Sequence, residues 1–309
     1  MTQPTVTILM ATYNGAAHLS DQLASIAAQE GVNWRLIVSD DGSLDGTGAI
    51  LTAFQEAHPG QVTLLAGPGQ GGTANFRSLI ARTPLDASWV AFSDQDDVWM
   101  PQKLIRAVRA LEAAGSASDL SLYCSRTRIC AEDLTPGPLS RPLGQPVGFH
   151  NALFQSVAGG NTMVFGAPLL HLLQAADQEA GPVVVHDWWI YQLVSGAGGR
   201  VIRDDWPSLL YRQHGGNQIG SNQGVGPLVQ RIRWVLDGTY SSWGRLNHAA
   251  LLASADRLTP ENRARLELFG QLRTRGLIGR VRAMRQGGFR HRSRSGQILL
   301  WGLVILNRM

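Results

Sequence analysis

The chain has 309 residues, a formal net charge of +4, 44% hydrophobic residues and 16% charged ones. That balance is a globular protein's rather than a disordered chain's, and the length allows one large or two modest domains. The charge is unevenly placed: Arg273 to Arg294 carries eight arginines and no acid, a run suited to phosphate-rich partners such as anionic lipid or nucleic acid.

The N-terminus, "MTQPTVTILMATYNG", has neither a basic start nor a cleavage site, so no signal peptide is expected. Within it, "TVTILM" is a short β-branched run ended by the turn "ATYNG". "HLSDQLASIAAQE" then has helical spacing, with Leu19, Leu23, Ile26 and Ala27 on one stripe. "WRLIVSDDGS" is a second strand and turn, and "DGTGAILTAFQEAH" a helix with Asp45 near its start. "QVTLLA" is a third strand, followed by a glycine-rich turn and the helical "TANFRSLIARTP". "SWVAFSD" is the fourth strand, and "PQKLIRAVRALEAAG" a helix with Pro101 in its first turn. "DLSLYCSR" is the fifth strand. Cys124 and Cys130, the only cysteines, are evenly spaced in this strand-like stretch and read as reduced core residues of a cytosolic protein.

This alternation predicts a mainly parallel sheet with helices on both faces, whose ligands bind beyond the carboxyl ends of the strands. The polar clusters fall there: "TYN" after the first strand, "DDGS" after the second, "GPGQGG" after the third and "DQDD" after the fourth. The middle is less regular. "EDLTPGPLSRPLGQPVGFH" reads as a loop, "GGNTMVFG" as a short strand, "HDWWIYQLVSGAGG" as a short helix and "SLLYRQHGGNQIG" as a strand running into a loop. From about Leu228 the pattern is helical and arginine-rich. The longest apolar run, "ILLWGLVIL", falls short of the ~18–20 residues that span a bilayer.

Asp94 and Asp96, two apart at a strand end, can converge on one point. Oxygen-only ligands suit Mg²⁺ or Mn²⁺ bridging to the diphosphate of a nucleotide. The simpler alternative is that these acids cap the helix near Pro101, although three acids exceed what a cap needs. Asp40 and Asp41 can bind a ribose hydroxyl or a base N–H, or form an ordinary Asx-turn. "GPGQGG" follows the third strand rather than the first, so it is a weak dinucleotide signal; Asn75 beyond it can offer an amide to a ligand. Asp187, beside two tryptophans, is either a partly desolvated base or the cap of the helix that follows. His214 can complete a metal shell or touch a phosphate. Trp188, Trp189 and Trp206 can wall a sugar site, but tryptophans are core residues first.

Together the ordered segments "TVTILMATYNG", "LIVSDDGSLDGT", "GGTANF", "VAFSDQDDVWMPQKL", "GGNTMVF", "HDWW" and "YRQHGGN" resemble family 2 glycosyltransferases, and most of all their rhamnosyltransferase-like branch. The resemblance covers about the first 220 residues. It implies the GT-A fold, a Rossmann-like α/β sheet flanked by helices, with a catalytic domain over 1–222; the tail lies outside the resemblance, and its own pattern gives a helical, arginine-rich extension over 223–309. It implies that Ala11, Thr12 and Tyr13 lie against the nucleotide base and that Asp41, with Asp40, contacts the base and ribose. Asn75, Asp94 and Gln95 join the nucleotide-binding set. Asp94 and Asp96 match the DxD motif that holds Mg²⁺ or Mn²⁺, with His214 where some members place a further ligand. Asp187 matches the catalytic base, with a His before it in place of the usual Glu. Gly160, Asn161, Trp188 and Trp189 fall on the acceptor side.

The implied activity is inverting transfer of a sugar, rhamnose from dTDP-rhamnose, to a hydroxyl of a polysaccharide or lipid-linked glycan. The alternatives are a UDP-hexose donor and a non-catalytic glycan- or nucleotide-binding protein. No nucleic-acid partner is expected, because the arginines are confined mostly to the tail. The tail itself reads either as an anchor on an anionic membrane surface or as a homodimer contact, placing the protein in the cytoplasm or peripherally on the inner membrane face.

Overall fold

The computed structural model describes residues 3–115, 119–142, 147–213, 234 and 237–309. In chain order the elements are β1 (Thr5–Thr12), α1 (Leu19–Ala27), β2 (Asn33–Asp40), α2 (Thr47–Ala57), β3 (Val62–Ala66), α3 (Gly72–Arg82), β4 (Trp89–Ser93), β5 (Val98–Trp99), α4 (Lys103–Ala114), β6 (Ser121–Cys130), β7 (Pro136–Leu139), α5 (Phe149–Ala152), β8 (Val164–Gly166), α6 (Ala167–Asp177), α7 (His186–Gly196), β9 (Arg200–Arg212), α8 (Thr239–Ala253), α9 (Pro260–Thr274), α10 (Leu277–Gln286) and α11 (Arg294–Ile305). They fall into two compact units: Met1–Leu143 with Ala158–Asp177 and Val201–Gln218, and Gly144–Val157 with Gln178–Arg200 and Ile219–Met309.

The first unit is built on one sheet of order β3-β2-β1-β4-β8-β6-β9-β5, with β7 on β6. The β3-β2-β1-β4 part is parallel, as the strand–helix alternation predicts. The rest differs: β8 runs antiparallel to β4 and β6, and β9 antiparallel to β5. Register places the strand ends side by side, with Thr12 opposite Asp40, Asp40 opposite Ala66 and Met10 opposite Ser93. The carboxyl ends of four parallel strands therefore form one edge, and the loops leaving it carry the polar clusters.

The core beneath that edge follows from the residue types. Ile8, Met10, Leu36 and Val38 are fully buried β formers on neighbouring strands. On α4, Leu104, Ala107, Val108 and Leu111 are buried at i, i+3, i+4 and i+7, a helical stripe laid on this core. Cys124 and Cys130 are buried free thiols, and burial pushes the Cys124 thiol up to about 12. Truncating a fully buried side chain such as Leu104 to Ala would cost about 2–5 kcal/mol.

The second unit is helical. Residues of α7 are buried on every face, so this helix is a core element rather than a surface one. Asn262 Nδ2 donates to the Ser195 and Gly196 carbonyls at 3.1 and 3.0 Å, satisfying backbone oxygens that the end of α7 leaves open. Phe154, Phe269 and Phe289 meet edge to face, with centroids 5.2–6.1 Å apart. Among the described residues, no helix is long and apolar enough to cross a membrane.

Candidate functional site

The loop leaving β4 brings three carboxylates together. Ligand oxygens of Asp94, Asp96 and Asp97 lie within 4.8 Å of one another, with Asp94 and Asp96 half-buried and Asp97 fully buried. They do not cap the following helix. The residue before α4 is Gln102, and no side chain caps that terminus. Burial pushes the Asp97 carboxyl well above the usual carboxylate range, and the neighbouring charges of Asp94 and Asp96 push it further. Asn161 Nδ2 donates to Asp97 Oδ2 at 2.7 Å, while Asp97 Oδ1 is buried with no hydrogen-bond partner among the described residues. Three convergent carboxylates and one orphaned buried oxygen have the donor chemistry that suits a hard divalent cation.

Lys103, the chain's only lysine, is fully buried under this loop. Its Nζ donates to the Asn161 carbonyl at 2.5 Å and sits 3.4 Å from the Trp99 ring centroid. Desolvation lowers its pKa well below the ordinary lysine value, against the opposing pull of Asp97 and Asp94. Asn161 thus binds Lys103 through its backbone and Asp97 through its amide. The Asn161 amide nitrogen is thus committed to an acid of the loop. Gly160 is buried in the same short 3-10 turn, Gly160–Thr162.

Arg212, on β9 and only 4% exposed, fixes the loop from another side. Its Nε donates to the Asp96 carbonyl at 3.1 Å, Nη1 donates to the Glu132 carbonyl, and Nη2 reaches Asp21 Oδ2 at 2.7 Å. Arg212→Met is expected to cost about 2–4 kcal/mol of stability, because buried charged hydrogen bonds are lost and their acceptors stay. Chemical denaturation checks this, and Arg212→Lys should recover only part of the loss, since an ammonium cannot span three acceptors.

At the ends of β2 and β3 lies a cleft of about 440 Å³ lined by Asp40, Asp41, Gly42, Leu65, Ala66, Gly67, Pro68 and Gly69. Asp40 forms an Asx-type turn. Its Oδ2 accepts from Ser43 N at 3.0 Å and its Oδ1 from Ser43 Oγ and Thr12 Oγ1 at 2.5 and 3.0 Å. Asp41 accepts the Gly69 and Gly71 N–H groups, both at 2.7 Å. The glycine-rich turn therefore wraps this chain's own carboxylate. Gly69 and Gly71 have φ of 68° and 85°, where a side chain is strained, and a Cβ at Gly67 would lie 2.6 Å from Asp41 Oδ1.

Tyr13 is 56% exposed beyond β1, and its backbone is gripped by Gln95. Tyr13 N donates to Gln95 Oε1 at 2.9 Å, and Gln95 Nε2 donates to Tyr13 O at 3.1 Å. Ala11 and Thr12 lie at the end of β1, Thr12 only 2% exposed. Asn75 is 1% exposed, and its Nδ2 donates to the Ser39 carbonyl at 2.8 Å, tying α3 to β2, while its Oδ1 has no hydrogen-bond partner among the described residues.

Asp187 belongs to the second unit. It is half-buried in the first turn of α7, whose cap position is Val185, so Asp187 is not the cap. Burial pushes the His186 imidazole down to about 3, so this ring is neutral across physiological pH. Trp189 is fully buried and Trp188 nearly so, with Trp188 Nε1 donating to the Ala152 carbonyl at 2.6 Å. Both indoles are therefore enclosed within this unit. Trp206 instead lies under the Arg106 guanidinium, 5.2 Å from its ring centroid. His214 lies outside the described residues.

Of the groups that hold the site, Asp97, Lys103 and Arg212 were not singled out as site residues from sequence. The signals were present: a third acid in "DQDD", a single lysine in the chain, and an arginine two positions before His214.

The model of the family described as "Glycosyl transferase family 2" matches residues 7–150. dTDP-rhamnosyl transferase RfbG of Shigella flexneri is 30% identical over 241 residues, covering 75% of this chain and 80% of its own. Among solved structures, residues 1–349 of S. aureus TarS in complex with UDP-GlcNAc superpose with a TM-score of 0.55 at 13% identity, over 98% of this chain and 90% of that one. Mannosyltransferase PcManGT from Pyrobaculum calidifontis, in complex with GDP-Man and Mn²⁺, superposes with a TM-score of 0.52 at 19% identity, over 99% and 84%. At such identities the structural likenesses speak to fold alone.

Proposed function

This chain belongs to glycosyl transferase family 2, and we propose that it moves a sugar from a nucleoside-diphosphate donor to an acceptor hydroxyl with inversion at the anomeric carbon. The donor in this reading is dTDP-rhamnose, supported by the likeness to RfbG, and the acceptor is a polysaccharide or lipid-linked glycan hydroxyl. The observation that carries the reading is the three-acid cluster on the edge that also bears the β2–β3 cleft. Residues 1–222 form the donor-binding and catalytic part. Residues 223–309 form a helical extension that meets a membrane surface or a second copy.

The nucleobase lies in the cleft of Asp40, Asp41 and Gly67, with the exposed Tyr13 ring available to stack on it. Asp41 keeps acceptor capacity for a base N–H, since a carboxylate offers about four lone-pair sites and two hold glycine amides. Asp94, Asp96 and Asp97 would hold Mg²⁺ or Mn²⁺, which supplies Lewis-acid neutralisation of the departing diphosphate. Asn161 holds Asp97, Arg212 holds the Asp96 backbone, Lys103 holds Asn161 and Gln95 ties the loop to the Tyr13 backbone before substrate arrives, so little reorganisation is left for the transition state. Asp187 takes the proton of the acceptor hydroxyl. As it does so, the acceptor oxygen bonds to the anomeric carbon, and the bond from that carbon to the diphosphate oxygen breaks with its electron pair leaving on the diphosphate.

A thermal-shift panel of nucleotide sugars tests the donor. dTDP-rhamnose with Mn²⁺ is expected to raise the melting temperature most, and excess chelator to remove the shift, because a ligand stabilises only the state that binds it. A larger shift with UDP-glucose or UDP-galactose would move the assignment to a hexose donor. No shift with any nucleotide would return the chain to a non-catalytic reading.

A further inference from the structure

Within the second unit, residues of α10, α11 and the segment between them line a cleft of about 500 Å³. Its rim carries Arg285, Arg290, Arg292 and Arg294, and Phe289 and Trp301 form part of its wall. The chain contains no Asp or Glu after Glu267. Among the described residues, the ion pairs Arg257–Glu179, Arg263–Asp256 and Arg265–Glu261 of this unit do not involve Arg285, Arg290 or Arg294. Clustered guanidinium groups around a cleft raise the local potential and favour phosphate oxygens, which they bind in bidentate fashion.

A second feature points the same way. On α11, Leu300 and Val304 are buried at i and i+4, while Ile298 is 74% and Leu306 71% exposed. Leu299 and Ile305 are exposed between them, so the outer residues fall at i, i+1, i+7 and i+8, one face of the helix. Ile278, at the start of α10, is 87% exposed. The far end of α11 is tied to the start of α8, where Ser241 Oγ donates to the Met309 carbonyl at 2.5 Å. There Trp234, Tyr240 and Trp243 cluster with centroids 5.2–6.3 Å apart. Arginines, an exposed aliphatic face and a Trp–Tyr cluster are the composition of an interfacial helix, whose apolar side enters the boundary between headgroups and acyl chains. With 12 residues, α11 lies in such a surface rather than crossing it.

We infer that the cleft between α10 and α11 binds the phosphate of an anionic lipid headgroup, and that this docks the protein on a membrane surface through the outer face of α11. The inference rests on the proposed function only in choosing between the two contacts offered there for the extension. Polar headgroups reach the guanidinium groups, and Ile298, Leu299, Ile305 and Leu306 leave water. A second copy of this chain would satisfy the aliphatic face but would set two acid-free, arginine-rich segments against each other.

The test is cosedimentation of the full chain with vesicles of phosphatidylcholine alone and of phosphatidylcholine with phosphatidylglycerol. No sugar nucleotide is present, so the result is independent of any transferase activity. The wild type is expected to pellet with the anionic vesicles only, less so as salt rises. The triple change Arg285→Gln, Arg290→Gln, Arg294→Gln should weaken binding roughly a hundredfold, at about fivefold per arginine. Ile298→Ser with Ile305→Ser should weaken it roughly tenfold. Every substituted position is on the surface or the cleft rim, and unchanged circular dichroism confirms folding. Equal pelleting with neutral and anionic vesicles, or full retention by the arginine variant, would overturn the inference. So would a wild type that stays in the supernatant and sediments as a dimer that Ile298→Ser with Ile305→Ser dissociates.

Discussion

Asp187→Asn should lower kcat by about 10²–10⁴ while leaving donor affinity within about twofold, because positioned general bases contribute on that scale. The amide keeps the shape of the side chain, and it cannot accept the acceptor's proton. Asp187 sits in the first turn of a helix whose residues are otherwise buried, so the exchange has little room to perturb packing around it. The readout is a pair of measurements: turnover of dTDP-sugar in the presence of acceptor, and donor binding by calorimetry. A variant that turns over like the wild type removes the base from α7. A variant that loses donor binding in step with turnover makes Asp187 part of the donor site instead. The pH profile adds a further check. A group acting as base has a rising acid limb in kcat/KM, and that limb should vanish in the Asn variant along with most of the rate.

The second large effect concerns the acids after β4. Asp96→Ala is expected to lower kcat/KM by roughly 10³ or more, since Lewis-acid neutralisation of a diphosphate is worth several kcal/mol and each 1.36 kcal/mol is tenfold. Donor binding should then become insensitive to Mn²⁺ and to chelator. The structure supplies the contrast that makes the test specific. Asp96 is half-buried and its carbonyl is held by Arg212, so the loop backbone keeps its anchor when the carboxylate goes. If Asp96→Ala retains a Mn²⁺-dependent thermal shift of wild-type size with donor, the carboxylate cluster is not the metal site.

Much of the parallel sheet was legible because its signals are local. "TVTILM", "WRLIVSD", "QVTLLA" and "SWVAFSD" are short apolar runs ended by turn residues, and each became a strand paired in the β3-β2-β1-β4 order. The placing of polar clusters at the carboxyl ends follows from parallel pairing alone, since every strand must end on the same edge. The antiparallel half was not legible. "DLSLYCSR" and "GGNTMVF" look like further strands of the same alternation, but direction is set by which partner a strand meets, and Leu122 and Tyr123 meet Phe165 and Val164 from a distant segment.

The site shows the same division at the level of single side chains. Residue type and spacing determined that Asp94, Asp96 and Asp97 would gather at a strand end, because four consecutive residues leaving a strand have nowhere else to go. Only the tertiary structure decided what balances and holds them: Lys103 turned inward to the Asn161 carbonyl, Asn161 to Asp97, and Arg212 to the Asp96 backbone, across 58, 64 and 116 positions of sequence. It likewise decided that Asn75, Trp188 and Trp189 face inward, since exposure depends on what the rest of the chain lays over a residue. Local hydrogen bonding and hydrophobic period are written into a few neighbouring residues. Burial and long-range polar contacts are properties of the packed whole, and those are what turn a cluster of acids into a held site.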